Sequence, residues 1–371
     1  MKNNVINKYI KSYIDFNQLE ETVYKKKIKL IECRKTMGIK LVKLVVAVDF
    51  SNIFFSILNK SKYIESIIFL IEYFHKNNID PIFVFDGKPP EIKKSTIQKR
   101  KKEKDKAQKK IDQFKEELEA INNVEETLSD EDEIAEIKKH KTEIKNNIIK
   151  FSKRTIKLTK KHTKIAQDLF KFMNIPFIHI DKEADYVCAN LVKNGIADAC
   201  LSNDYDLLAF QCPVILRNLN IYTHSVEIIF LEDVCNMMRI NKEQLTYLNI
   251  MNGCDYSTPI YDIKLSYIHT LFIKGYDIKD ILDIIGNKTY NYLDAYNLFT
   301  EKIVLDNENI NCYNSTKTLL LSDIEDYILP LKKSFNTIEI NDITKILTKY
   351  IEKQNKIVVP EYNITELFDY I

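Results

Sequence analysis

Seven carboxylates in this chain stand where alternating strands and helices would gather them: Asp49, Asp86, Glu183, Asp185, Asp204, Asp206 and Asp255. Asp49 ends the apolar run LVVAVD and Asp86 ends PIFVFD. Glu183 and Asp185 open a helical pattern, Asp204 and Asp206 follow another apolar run in Leu201-Ser202-Asn203-Asp204-Tyr205-Asp206, and Asp255 lies in Asn252-Gly253-Cys254-Asp255-Tyr256. Any one of these has an ordinary structural explanation as a helix cap or an Asp-Gly turn. Seven in one crevice repel one another by several kcal/mol unless cations stand between them. Hard divalent cations remove that repulsion. Magnesium is held by one or two carboxylates, waters and substrate phosphate, and a pair about 3.5–4 Å apart clamps the attacking and leaving oxygens of phosphoryl transfer. There is no Gly-rich phosphate loop and no recognisable motif pairing His with Ser or Cys, so nucleotide hydrolysis and acyl transfer have little support.

The elements that must position these acids are legible as short apolar runs of strand type at 44–49, 81–86, 176–180, 197–201, 213–216 and 226–230. Helical periodicity intervenes at 51–77, 155–174 and 184–194. Near-continuous apolar strands alternating with helices predict an α/β fold with a mainly parallel sheet covered on both faces. In such a sheet the functional crevice lies outside the carboxyl ends of the strands, where the acids fall. Beyond about residue 241 the pattern reads as helical. The expected organisation is therefore an α/β core over 1–240 and a helical region over 241–371.

The formal charge of +2, from 55 Lys+Arg against 53 Asp+Glu, argues by itself against a surface made for polyanions. It is a sum of blocks. Residues 93–110 hold ten basic residues against two acidic ones, 116–133 hold nine acidic residues and no basic one, and 138–164 hold eleven basic residues against one acidic. The span 93–164 reads as long helices, with apolar spacing at Ile111, Phe114, Leu118 and Ile121 and again at Ile144, Ile148 and Phe151. Taken alone it is a solvated helical hairpin. The seven Cys form no C-x-x-C pair and no zinc-spaced cluster, no run approaches a membrane span, and the Lys-rich N-terminus lacks a signal-peptide core. A soluble intracellular protein in a reducing compartment is expected.

Asp86-Gly87-Lys88-Pro89-Pro90-Glu91-Ile92-Lys93, followed by Lys99-Arg100, resembles the signature of the flap endonuclease family of structure-specific 5′ nucleases. The likeness continues from Lys153-Arg154 to His162, through Asn174-Ile175-Pro176, Glu183-Ala184-Asp185 and Asn203-Asp204-Tyr205-Asp206-Leu207-Leu208-Ala209-Phe210, to Gly253-Cys254-Asp255-Tyr256. The ordered set covers roughly residues 44–285. The resemblance implies a PIN-like nuclease fold and Mg2+-dependent hydrolysis of phosphodiesters at junctions of single- and double-stranded DNA, with two Mg2+ ions, or Mn2+ in their place, held by all seven acids. Asp185 stands where the family has a second Glu. Lys93 and Arg100 match basic residues that reach the scissile phosphate, and 93–164 would be the helical arch that passes a 5′ end. Arg154 and Lys157 match phosphate-steering positions, and Phe55 matches an aromatic that stacks on a base near the cut.

The chain also departs from the family pattern. It begins Met1-Lys2-Asn3 and carries Met37-Gly38-Ile39 ahead of the first strand, where the family begins Met-Gly-Ile. Tyr261-Asp262-Ile263-Lys264 replaces a Gly-Ile-Gly hairpin of the helix-two-turn-helix element expected over 243–285, removing glycines that allow close backbone approach to duplex and a monovalent ion. The arch is longer than usual, and 365–371 shows no clear sliding-clamp motif. The expected partner is DNA with 5′ flaps or single-/double-strand junctions, bound by a monomer and without a membrane, at nuclear or other replication sites. The Lys, Ile and Asn bias suits an A+T-rich genome such as that of a large DNA virus, whose factory would then be cytoplasmic. Alternatives are a Holliday-junction resolvase or 5′-3′ exonuclease of the same superfamily and, from another class, a catalytically weak DNA-binding scaffold.

Overall fold

The computed structural model describes residues 26–29, 43–58, 63–125, 131–155, 157–303, 310–311, 322–331 and 337–356. Met37-Gly38-Ile39, residues 126–130 of the acidic block and the segment 365–371 lie outside them. The chain divides into two compact units, one of 1–89 with 160–371 and one of 90–159.

The first unit is built on strands β1 (Lys26–Lys29), β2 (Leu44–Asp49), β3 (Ile79–Phe85), β4 (Phe177–His179), β5 (Ala199–Leu201), β6 (Val214–Asn220), β7 (Ser225–Phe230) and β8 (Ile310–Asn311). They form one sheet in the order β1-β7-β6-β5-β2-β3-β4-β8. The five strands from β6 to β4 run parallel, while β7, β1 and β8 are antiparallel additions at the two sides. The mainly parallel sheet expected from the apolar runs is present. Chain order moves outward from β2 to β3 and β4, then returns to β5 and β6 on the other side. The strand order therefore reverses between β2 and β5, which opens a crevice at their carboxyl ends.

Helices α1 (Phe50–Leu58), α2 (Tyr63–Lys76), α5 (Lys160–Phe172), α6 (Ala184–Lys193), α7 (Asp206–Ala209), α8 (Leu231–Met238) and α9 (Lys242–Asn252) connect or follow these strands. Successive strand residues point to opposite faces, and the two faces have different chemistry. From β3, Phe83 and Phe85 join Phe50, Phe54 and Phe170 in an aromatic cluster, with Phe83 stacked on Phe170 at 4.4 Å and Phe50 on Phe54 at 4.7 Å. Their neighbours Ile82 and Val84 belong to the other core, with Val187 and Leu191 of α6 and Leu248 of α9. Burial on both faces explains why β2 and β3 read as continuous apolar runs rather than alternating ones.

Helices α10 (Leu265–Ile273), α11 (Ile278–Ile284), α12 (Leu293–Thr300), α13 (Asp323–Leu331) and α14 (Thr337–Lys356) follow α9. Between α9 and α10 Asp262 takes the left-handed backbone, φ 62, which Asp tolerates better than most residues. Its neighbour Tyr261 is 71% exposed. Strand β8 interrupts the helical reading of this region. Two residues carry no periodicity to read, and the pairing of Ile310 and Asn311 with Ile178 and Phe177 is made by backbone. The expected strand 197–201 shortens to β5, since the Asp198 carboxylate, rather than strand backbone, accepts the Val45 amide at 2.8 Å.

The second unit is a helical hairpin of α3 (Lys94–Glu125) and α4 (Glu131–Thr155), as the spacing predicts. Their 32 and 25 residues give lengths of about 48 and 38 Å at about 1.5 Å per residue. Ala107, Ile111 and Ile144 are buried in its seam, and Phe114 meets Phe151 at 5.9 Å.

Candidate metal centre

Asp49 ends β2 and opens α1. Its Oδ1 accepts a hydrogen bond from the Asn52 amide at 3.1 Å, so the carboxylate caps the helix it begins. Its Oδ2 accepts from the Ser202 hydroxyl at 2.8 Å, just past the end of β5. Burial, followed by the charge of Asp86, pushes its carboxyl up from 3.8 to about 7, against the pull of hydrogen bonds with Asn52, Ser202 and Asp185.

Asp86 stands immediately after β3 and reaches the start of α6, where its Oδ1 accepts from the Ala184 amide at 2.9 Å. The sequence at α6 supplies no cap of its own: Glu183, at the N-cap position, makes no side-chain cap bond. Asp86 thus satisfies an open amide at a helix start where negative charge is favoured. Gly87 makes the approach possible. Its amide donates to the Lys182 carbonyl at 2.8 Å, and a Cβ there would lie 1.9 Å from the Ile180 carbonyl oxygen.

Ser202, fully buried, ties the centre together. Beyond its bond to Asp49, its hydroxyl lies 3.5 Å from Asp185 Oδ1 and accepts from the Asp204 amide at 3.2 Å. Asp204 Oδ1 accepts from the Asp206 amide at 2.9 Å, the local turn that Asp favours. From α9, Gly253 (φ 82), whose Cβ position is crowded by Pro259, leads into Cys254-Asp255-Tyr256. The Tyr256 hydroxyl donates to Glu183 Oε2. Burial, then the charges of Glu183, Asp185 and Asp206, hold that phenol well above its usual range. Burial and then Asp206 push the neighbouring Cys254 thiol up to about 11. Asp255 lies between these two residues.

Hydrogen bonds and mutual charge therefore link Asp49, Asp86, Glu183, Asp185, Asp204 and Asp206, and the Tyr256 bond to Glu183 ties in the segment that carries Asp255. Asp49, Asp206 and Asp255 are buried, Glu183, Asp185 and Asp204 half-buried, and Asp86 exposed. Among the described residues no three His, Cys, Asp or Glu side chains close on a single ion position. An all-carboxylate donor set fits a hard divalent cation, which takes oxygen ligands, better than a soft metal that prefers thiolate or imidazole. Ser202 and Tyr256, which hydrogen-bond these acids, are not among the residues singled out from the sequence. Ser202 offered no signal, while Tyr256 stood inside the quoted motif without a role.

The other expected residues lie outside this centre's unit or outside description. The side chain of Phe55, on α1, is not among those described. In the hairpin unit Lys93 closes a 3-10 turn, Glu91–Lys93, and Arg100 is exposed on α3. The exposed Arg154 sets its guanidinium over the Phe151 ring at 5.1 Å, and Lys110 sets its ammonium over the same ring, also at 5.1 Å. Burial, then Lys157 and Arg100, pull the Lys104 amine down, so three cations crowd together. Lys104 joins the candidates; its signal was its place one turn beyond Arg100.

Residues 28–107 match the XPG N-terminal domain and 174–255 the XPG I-region, spans that contain all seven acids. The chain is 30% identical over 302 residues to flap endonuclease 1 of Schizosaccharomyces pombe, covering 79% of this chain and 70% of that protein. It is 27% identical to flap endonuclease 1 of Methanococcus aeolicus over 63% of each. The chain thus spans less than two thirds of the length of that relative, and 46% of the Cryptosporidium muris one. In three dimensions it is similar to flap endonuclease-1 from Methanococcus jannaschii, with TM-score 0.57 at 22% identity over 91% of this chain and 99% of that one. Human GEN1, solved in complex with Holliday junction DNA, gives TM-score 0.56 at 16% identity over 94% and 80%.

Strand order and helix placement define the fold of a PIN-like 5′ nuclease. Within that class the chain belongs to the flap endonuclease family.

Proposed function

We propose that this chain is a divalent-metal-dependent, structure-specific 5′ nuclease that hydrolyses phosphodiesters at single-/double-strand DNA junctions. The observation that carries the reading is the linked carboxylate set, above all Asp49, whose proton is held to about 7 by burial and by Asp86. A carboxylate arrangement that raises its own protonation is unfavourable without cations and favourable with them.

Asp49, Asp86, Glu183, Asp185, Asp204, Asp206 and Asp255 would hold the ions. When bound, two Mg2+ ions supply Lewis-acid chemistry, neutralising charge on the phosphate and the departing 3′ oxygen. The chain's own residues set the geometry. Asp86 and Asp204 each commit one oxygen to a backbone amide, which fixes the direction of the other. Ser202 keeps Asp49 and Asp204 in register, and Tyr256 orients Glu183. Family resemblance assigns Lys93 and Arg100 to charge that grows on the scissile phosphate, and Arg154 and Lys157 to backbone steering. Contacts of that kind follow phosphates without reading sequence.

Tyr261 and Asp262 stand where the family has its glycine hairpin, and a four-way junction is a second candidate substrate, since the similarly folded human GEN1 was solved with Holliday junction DNA. The test is cleavage of labelled flap, nicked, single-stranded and four-way DNA with Mg2+ or EDTA. Mg2+-dependent cuts near a junction are expected. No cleavage of any DNA would remove the reading, leaving a binding scaffold, and a preference for RNA would move it to another class.

A further inference from the structure

Arg217 is a charged residue that the proposed chemistry does not use. It sits on β6 at 7% exposure, and burying a cation is costly unless it is paired. The in-register residue on β7 is Glu227, yet that carboxylate accepts from the Asn218 side chain at 2.8 Å. Arg217 instead directs Nη2 to the carbonyl of Asn203 at 2.7 Å and lays its guanidinium over the Tyr205 ring at 3.5 Å. Its Nε and Nη1 have no hydrogen-bond partner among the described residues.

Both contacts bracket Asp204. Asn203 is fixed at two further points, its amide donating to Asn52 Oδ1 at 3.1 Å and its Oδ1 accepting from the Asn218 amide at 2.8 Å. The loop between β5 and α7 is thus pinned from α1 on one side and from β6 on the other. A planar guanidinium can stack on a ring and donate in its own plane at the same time, which an ammonium cannot do. Stability alone gives no reason to bury a cation here, since an apolar side chain of similar length would pack without desolvation cost.

We infer that Arg217 is a positioning residue for the metal centre, holding Asn203 and Tyr205 so that Asp204 and Asp206 face the ions. The inference rests on the metal-site reading. Its test measures Mg2+ binding without DNA, from the rise in unfolding temperature of the whole chain as MgCl2 is titrated. Arg217→Met should keep the fold and raise the half-saturating Mg2+ concentration about tenfold or more, the scale on which groups that orient ligands act. Arg217→Lys, which keeps the charge but loses the stack, should fall between. Ile215→Val, a core change on the same strand, should leave half-saturation unchanged. If Arg217→Met does not fold, Arg217→Lys decides by the same measure. Half-saturation within twofold of wild type, or tighter binding as expected when a merely competing cation is removed, overturns the assignment alone. Absence of any saturable Mg2+ effect in wild type sinks the metal-site reading and this assignment with it.

Discussion

Asp86 accepts a hydrogen bond at 2.9 Å from the amide of Ala184, 98 positions away in the sequence. One carboxylate therefore both caps α6 and stands beside Asp49. The two roles separate by substitution. Asp86→Asn keeps an acceptor oxygen and loses the charge, so it should lower cleavage by at least about a hundredfold with little change in stability. Asp86→Ala loses the cap as well and should cost about 1 kcal/mol more in urea unfolding. Equal stability of the two variants would mean that the cap contributes nothing.

The raised carboxyl of Asp49 gives a pH dependence of definite sign. Its folded value of about 7 exceeds the ordinary 3.8, so the folded state binds the proton more tightly than the unfolded one. Stability of the metal-free protein is then greatest below pH 4 with respect to this group and is lost as pH rises through about 7. Urea midpoints in EDTA should fall between pH 5 and pH 8, less so for Asp49→Asn, and Mg2+ should restore the wild-type midpoint at pH 8. A wild-type midpoint that rises by more than that of Asp49→Asn contradicts the assignment.

Tyr256 is 3% exposed and its hydroxyl donates to Glu183. Tyr256→Phe removes one donor without opening space, leaving a half-buried carboxylate less satisfied. A loss of about 1 kcal/mol in stability is expected, with roughly tenfold slower cleavage from an unguided Glu183. Unchanged single-turnover rates would show that Glu183 needs no such support.

Lys104 crowds Arg100 and Lys157 in the hairpin unit. Three cations together suit a phosphate backbone. Lys104→Ala should weaken DNA binding equally across sequences and lower the slope of log affinity against log salt by about one. Fluorescence anisotropy from 50 to 200 mM salt checks this, and an unchanged slope removes Lys104 from the interface.

The sheet was legible because β2 and β3 are buried on both faces, which writes burial into the sequence as unbroken apolar runs. The hairpin was legible because its seam repeats at helical spacing. Asp49, Asp86 and Asp204 could be collected by their place at strand ends and the other four acids by their helix starts and motifs, but their partners could not. The Asp86 link to Ala184 and the Ser202 link to Asp49 span long stretches of chain and have no local pattern. Capping and metal binding had looked like rival explanations for single acids. In Asp49 and Asp86 the two are compatible: one oxygen caps a helix and thereby sets the direction of the carboxylate that the proposed function gives to an ion. Strand β8 escaped for the same reason, being made by a backbone pairing distant in sequence.

Asp204→Asn compared with wild type on one labelled 5′-flap substrate tests the central claim most directly, with DNA binding and Mg2+-dependent cleavage measured in parallel. Among the described residues the Asp204 carboxylate accepts just the Asp206 amide, through Oδ1, an acceptor that Asn retains, so the substitution removes charge and little else. Cleavage should fall by at least about a thousandfold while binding stays within a fewfold. Cleavage at the wild-type rate by Asp204→Asn would contradict a metal centre built on these carboxylates.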